Sequence, residues 1–367
     1  MSCDFNALAN AGIRGLHPYQ AGKPVSEVER ELGITEAVKL ASNENPLGIS
    51  DKVKAAIAEE ALEIARYPDS NGFYLKEALA DKLNAKPAQI TLGNGSNDVL
   101  ELIARTFVSA EDEVMFAEHA FVVYPLVTQA IGATPVAVPA KNYGHDLDAM
   151  AAAITDKTRM IFIANPNNPT GTFLSADAIY GFLNKVPEQV VVVLDEAYYE
   201  YVSDEERADS IAWLSEFPNL IVTRTFSKAY GLAGLRVGYS VSSEQMAGLF
   251  NRVRQPFNVN SLALKAAEVA LADDDFLARS VSLNSEGMQQ LASFFERSGL
   301  SFIPSWGNFI TFDTERNGAE VYELLLKEGV IVRPIGGYGL PSHLRVSIGT
   351  QSENQKFIEA LTKVLSL

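Results

Sequence analysis

Val190-Val191-Val192-Val193-Leu194-Asp195-Glu196-Ala197-Tyr198 is the stretch on which the fold turns. Val190 to Leu194 are apolar without interruption, whereas a strand with one wet face would alternate apolar with polar residues. The run therefore reads as a central strand covered on both faces, in a sheet with helices on either side. The polar residues that end it then lie at the carboxyl edge of that sheet, where open α/β sheets bind ligands.

The same texture extends outward from about residue 90 to 245. Further strand candidates are Gln89–Leu92, Glu113–Phe116, Thr134–Val138, Arg159–Ala164, Leu220–Thr225 and Val237–Ser240, with amphipathic stretches between them. Helices are expected at Asn97–Thr106, with Ser96 as N-cap, and at Ala176–Leu183 after Ser175. The fold class predicted is α/β: a large, mostly parallel seven-stranded sheet domain. Beyond residue 250 the helices lengthen, and Phe309–Phe312, Val330–Arg333 and Leu344–Ser347 read as strands of a smaller α+β domain. The first 45 or so residues carry little periodicity. They read as an arm or an early piece of the small domain, giving a division into 1–45, 46–250 and 251–367.

A chain of 367 residues is too long for one small core, which agrees with two domains. Thirty Lys and Arg against forty-six Asp and Glu give a net charge of −16, which argues against nucleic acid or an anionic membrane as partner. An anionic small molecule would have to be held by a few arginines acting locally. No apolar run approaches the roughly 18 residues that cross a bilayer. The opening residues mix Asp4, Asn6, Asn10 and Arg14 into apolar ones, unlike a secretory segment, so the expected compartment is the cytoplasm. Cys3 is the single cysteine, and His17, His119, His145 and His343 form no metal-spaced pair, so no metal is expected.

Three of the strands run into unusual polar residues. Arg159–Ala164 is followed by Asn165-Pro166-Asn167-Asn168-Pro169-Thr170-Gly171, the central run by Asp195 to Tyr198, and Leu220–Thr225 by Phe226-Ser227-Lys228 and then Ala229 to Gly238, AYGLAGLRVG. Singly, each has an ordinary structural explanation: a turn, a helix cap, a solvated lysine. Together they deliver an Asn, an Asp, a Tyr, a Lys and an Arg to one rim.

In that order these motifs resemble the aspartate-aminotransferase superfamily of fold-type I pyridoxal 5'-phosphate (PLP) enzymes, and the resemblance covers nearly the whole chain. It implies that Lys228 carries the cofactor as a Schiff base, with Arg236, eight residues on, holding the phosphate. Thr225 and Ser227 occupy the family's hydroxyl positions. Asp195 would keep the pyridine nitrogen protonated, and Tyr198 and Asn168 would hydrogen-bond the phenolic oxygen. Gly95, Ser96 and Asn97, in Gly93-Asn94-Gly95-Ser96-Asn97-Asp98, lie between a strand and a helix, where a phosphate nest belongs. Phe121 matches an aromatic lid over the ring, the alternative being ordinary core. Tyr67 matches a tyrosine that reaches the phosphate of a neighbouring subunit and so implies a homodimer, the alternative being a buried Tyr before a proline-led turn.

Within the superfamily the likeness is to histidinol-phosphate aminotransferases. It is carried by His17-Pro18-Tyr19-Gln20 with Gly22-Lys23-Pro24, Leu40-Ala41-Ser42-Asn43-Glu44-Asn45-Pro46-Leu47-Gly48, Asp195 to Tyr198, and Leu344-Arg345-Val346-Ser347-Ile348-Gly349-Thr350. This implies ping-pong transfer from histidinol phosphate to 2-oxoglutarate, giving imidazole-acetol phosphate and glutamate in histidine biosynthesis. Arg345 and Arg333, with Tyr19, would form one anion site serving both substrates. Enzymes acting on aromatic amino acids share parts of these motifs and are the alternative. A decarboxylase or lyase of the same fold would keep Lys228, Asp195 and Arg236.

Overall fold

The structure, a computed structural model, describes residues 3–18 and 22–367. The first strand, β1 (Val38–Lys39), stands apart from the main sheet. Seven strands follow: β2 (Ile90–Gly93), β3 (Glu113–Ala117), β4 (Thr134–Val138), β5 (Thr158–Ala164), β6 (Val191–Asp195), β7 (Leu220–Thr225) and β8 (Gly238–Val241). They form one sheet in the order β2-β8-β7-β6-β5-β3-β4. β8 runs antiparallel to both its neighbours and every other pairing is parallel.

The decisive run behaves as its composition demands. β6 is buried at every position. Val192 and Leu194 feed one core with Ile163, Ile179, Phe182 and Ala263, while Val191 and Val193 feed a second with Phe116, Phe162 and Phe250 on the other face. Successive side chains of a strand point to opposite faces, so an unbroken apolar run is what two cores require. Burying a Val or Leu side chain stabilises by about 1.5–3 kcal/mol, which makes this strand the anchor of the molecule. Helix Ala176–Leu183 starts at Ser175, whose Oγ accepts from the Ala178 N–H at 3.3 Å. Helix Ser261–Leu271 packs in the first core against helices 51–60 and 73–83.

A second, smaller sheet has the order β12-β13-β10-β9, all antiparallel, from β9 (Phe302–Ile303), β10 (Phe309–Asp313), β12 (Arg333–Pro334) and β13 (His343–Ser347). β11 (Val330–Ile331) pairs in parallel with β1, Val38 opposite Val330. Leu40, Phe295, Phe312, Val346 and Phe357 share one core there, so residues from both ends of the chain meet.

Two local expectations are corrected. The strand expected at 330–333 is split: Val330–Ile331 serves β1, and Arg333–Pro334 is the edge of the antiparallel sheet. Pro334 has no N–H to donate, which suits a sheet edge and not its middle. Ser96 is not an N-cap but the first residue of helix Ser96–Phe107, and Gly95 is the cap. Gly95 has φ +85°, and a Cβ there would lie 2.4 Å from an Arg236 guanidinium nitrogen, so the bare backbone makes room for that side chain.

Candidate active site

The carboxyl ends of β5, β6 and β7 open on a cavity of about 190 Å³. Lys228, Arg236, Arg333 and Arg345 line it against one carboxylate, Asp195. In a chain of net charge −16, this is a local concentration of positive charge suited to anions.

Lys228 follows β7 through Thr225-Phe226-Ser227, a turn pinned where the Ser227 N–H donates to Thr225 Oγ1 at 3.1 Å. Its Nζ donates to the Ser42 carbonyl at 3.1 Å. Burial, then the nearby Arg345 and Arg236 cations, lower its pKa to about 7. At neutral pH a large share of this amine is therefore unprotonated and nucleophilic.

Asp195 is the last residue of β6 and lies opposite Thr223 of β7. Its carboxylate accepts from Thr223 Oγ1 at 3.0 Å and from Tyr124 Oη at 2.8 Å. Burial raises its pKa to about 6, while these donors oppose the shift. Tyr198 Oη accepts from Asn43 Nδ2 at 2.9 Å, and burial raises the phenol to about 12, so it stays protonated. Asn43, in the left-handed region at φ +54°, is itself fixed by Ser347 of β13. Arg345 donates to Asn168 Oδ1 and, at 2.8 Å, to the Ala41 carbonyl. Thr311 of β10 donates to the Pro169 carbonyl at 2.5 Å, so the Asn165–Gly171 loop is also held from the small sheet.

Arg236, at φ +58°, donates to the Ala233 carbonyl at 3.1 Å and reaches Ser227 Oγ at 3.4 Å. It packs on Gly95, beside Ser96 and Asn97 at the start of a three-turn helix. A guanidinium and a helix N-terminus thus face one end of the cavity.

The profile of the class I and II aminotransferases matches residues 35–361. The chain belongs to that family.

The aminotransferase is 64% identical over 363 residues to histidinol-phosphate aminotransferase 1 of Idiomarina loihiensis, covering 98% of this chain and 99% of that one. It is 59% identical over 360 residues to histidinol-phosphate aminotransferase 2 of Pasteurella multocida, covering 98% and 99%. Among solved structures, the histidinol-phosphate aminotransferase of Sinorhizobium meliloti, in complex with pyridoxal 5'-phosphate, superposes with a TM-score of 0.90. It is 30% identical, and the match covers 97% of both chains.

The cavity of the aminotransferase gathers Asn168, Asp195, Tyr198, Thr225, Ser227, Lys228, Arg236, Ser96, Asn97, Phe121, Arg333 and Arg345 from the residues singled out in the sequence. Phe121 is half-buried on its wall, not in the interior of the core, and meets the Tyr124 ring edge-on at 5.8 Å. Tyr67 is not buried before its turn: it is 83% exposed, stacks on Phe257 at 4.7 Å, and lies outside the cavity. Tyr19 falls outside the described residues.

Sequence reasoning gave no role to Asn43, Tyr124, Thr223, Tyr338 or the Ser42 carbonyl. Thr223 had a signal, since it is two residues before Thr225 on a strand and so shares its face. Tyr124 follows Phe121 by three, one helical turn, and reads as plain core. Glu196 and Arg224 were also missed. They form a buried ion pair at 2.8 Å, with the guanidinium 3.4 Å from the Tyr199 ring centroid.

Proposed function

We propose that this aminotransferase carries the amino group of histidinol phosphate to 2-oxoglutarate with pyridoxal 5'-phosphate as cofactor, forming imidazole-acetol phosphate and glutamate in histidine biosynthesis. The near-full-length identity to enzymes of that name supports the reading. The observation that carries the substrate side is the register of β12 on β13, which puts Arg333 and Arg345 opposite each other in the cavity of Lys228.

The residues present fit the cofactor. A half-buried lysine, a buried carboxylate and an anion cradle share one cavity, and Gly95, lacking a Cβ, leaves room there for the Arg236 guanidinium. Lys228 is the residue to bond it covalently, and Asp195 to hold the proton on its ring nitrogen. Tyr198 and Asn168 would donate to its phenolic oxygen. Arg236, the hydroxyls of Thr225 and Ser227, and the N–H groups after Gly95 would hold its phosphate, with Phe121 against the ring. When bound, the group supplies an electron-withdrawing ring that stabilises negative charge at the substrate Cα.

The chain's own residues do the rest. Lys228, its pKa near 7, would take the proton from the substrate Cα onto Nζ as general base and, as general acid, give it up on the cofactor side, a role typically worth about 10²–10⁴-fold. Arg345 orients the substrate anion, and its bonds to Asn168 and Ala41 tie that anion to the cofactor side. Both half-reactions use one pocket. The phosphate of histidinol phosphate and a carboxylate of glutamate therefore share Arg345 and Arg333, with Tyr19 as a third contact.

The reading includes a cytoplasmic homodimer in which Tyr67 reaches the partner's phosphate. Leu62, Ile64, Tyr67, Phe73 and Tyr74 are all exposed within one short stretch, which suits an interface. No described helix is long and apolar enough to cross a membrane. The reading keeps the division 1–45, 46–250 and 251–367, although helix 261–271 packs into the core of the larger unit.

Stopped-flow absorbance of the holoenzyme mixed with histidinol phosphate, glutamate or phenylalanine tests the substrate. Fast conversion by the first two supports the reading. Conversion by phenylalanine far faster than by histidinol phosphate moves the enzyme to the aromatic class.

A further inference from the structure

The mechanism leaves His119 unused, yet it stands where three parts of the site meet. It lies between β3 and the helix 123–131, two residues before Phe121, and is buried. Its ring Nδ1–H donates to the backbone carbonyl of Tyr338 at 2.7 Å. A carbonyl only accepts, so Nδ1 carries the proton. The backbone carbonyl of His119 accepts from Asn167 Nδ2 at 3.0 Å, next to Asn168 of the cavity.

Tyr338 belongs to the turn that follows Arg333, Pro334-Ile335-Gly336-Gly337-Tyr338-Gly339. Both Tyr338 and Arg333 line the cavity. Bonds from Tyr338 N–H to Ile335 and from Gly339 N–H to Gly336 shape the turn, but they do not fix its place against the large sheet. Three glycines in four residues make that placement entropically costly. The His119 ring supplies a fixed point from the large-sheet side. Gly339, in the left-handed region at φ +80°, turns the chain beside that ring, which a Cβ there would just touch at 3.5 Å. Tyr143 covers the contact, its ring 6.2 Å from His119 and 5.8 Å from His343, the first residue of β13.

We propose that His119 is a positioning residue: it latches the Gly336–Gly339 turn to the large sheet and so sets Tyr338 and Arg333 on the substrate side of the cavity. The inference rests on the substrate reading above. Lys228, Asp195 and Arg236 stand on the ends of other strands, so the latch governs substrate affinity and not proton transfer.

The test is stopped-flow analysis of the histidinol phosphate half-reaction in the holoenzyme, separating half-saturating concentration from maximal rate. His119→Phe keeps the ring and deletes the donor. It raises the half-saturating concentration about tenfold, the worth of one hydrogen bond, with maximal rate and cofactor affinity within about twofold of wild type. His119→Asn, which retains an N–H near the Nδ1 position, restores most of the affinity. Should His119→Phe fold poorly, His119→Leu deletes the same donor with a smaller side chain and gives the same rise. Unchanged affinity in the variant that folds, a fall in maximal rate at constant affinity, or an Asn variant as poor as Phe overturns the latch. If wild-type enzyme prefers phenylalanine, the substrate reading falls instead, and the same variants are measured with phenylalanine.

Discussion

Arg333 and Arg345 are cross-strand partners, directly opposite in the antiparallel pairing of β12 and β13. Like charges at that position repel, and a bound anion turns the repulsion into a grip. In the function proposed above, the two guanidiniums act together as one anion site.

Arg345→Lys therefore weakens both half-reactions. A lysine offers a point charge where the guanidinium offers a planar fork, so one charge-assisted contact of about 1.5–3 kcal/mol is lost, roughly ten- to a hundred-fold in each direction. Separate stopped-flow measurement with histidinol phosphate and glutamate checks this. An effect confined to glutamate would show that the two anions use different groups.

The lowered pKa of Lys228 sets a pH dependence for cofactor capture by the apoenzyme. The neutral amine is the reacting form, and its fraction rises as pH climbs through about 7. Capture, followed by cofactor absorbance and borohydride fixation on Lys228, should be half-maximal near that pH and level off roughly one to two units above it. An ordinary lysine, near pKa 10.4, would still be gaining rate above pH 9.

If Tyr67 completes the partner's site, two dead enzymes can make a live one. Lys228→Ala chains mixed with an impaired Tyr67→Ala variant should recover activity in the hybrid dimer, up to about one intact site in two. Size-exclusion chromatography verifies the exchange. Confirmed heterodimers without activity would mean that each chain's site is self-contained.

Glu196 and Arg224 form an ion pair with side chains only 5% exposed on each partner. Removing one partner strands the other charge, which costs about 3–5 kcal/mol. Glu196→Ala should shift the urea midpoint accordingly, whereas Glu196→Leu combined with Arg224→Met should be far milder. Equal losses in the single and double variants would show that packing, and not the unpaired charge, is responsible.

Composition and order made much of this legible. The five-residue apolar run named the central strand because no other environment accepts it, and the polar residues after β5, β6 and β7 named the rim. What stayed hidden depends on distance. Asn43 bonds Tyr198 across 155 positions, and His119 bonds Tyr338 across 219. No periodicity records such a meeting. The split of 330–333 was equally illegible, since the choice between β1 and β13 as partner is made by tertiary packing and not by the local run. Gly95 shows the same limit: its need for a positive φ can be guessed, but the guanidinium that fills the space cannot.

The pairing of β1 with β11 has a consequence for how the protein is made. A nascent chain leaves the ribosome amino end first, and all seven large strands are complete at Val241, while β11 begins only at Val330. Asn43 meets Ser347 across 304 positions, and Ala41 waits equally long for Arg345. The segment carrying Ala41, Ser42 and Asn43 is thus synthesised early, bonds Tyr198 and Lys228 of the large unit, and gains its β13 partners only at the end. A ribosome-bound chain can complete its large sheet and present Lys228, but the bonds that tie Ala41 and Asn43 to β13 form only after Arg345 and Ser347 have been made.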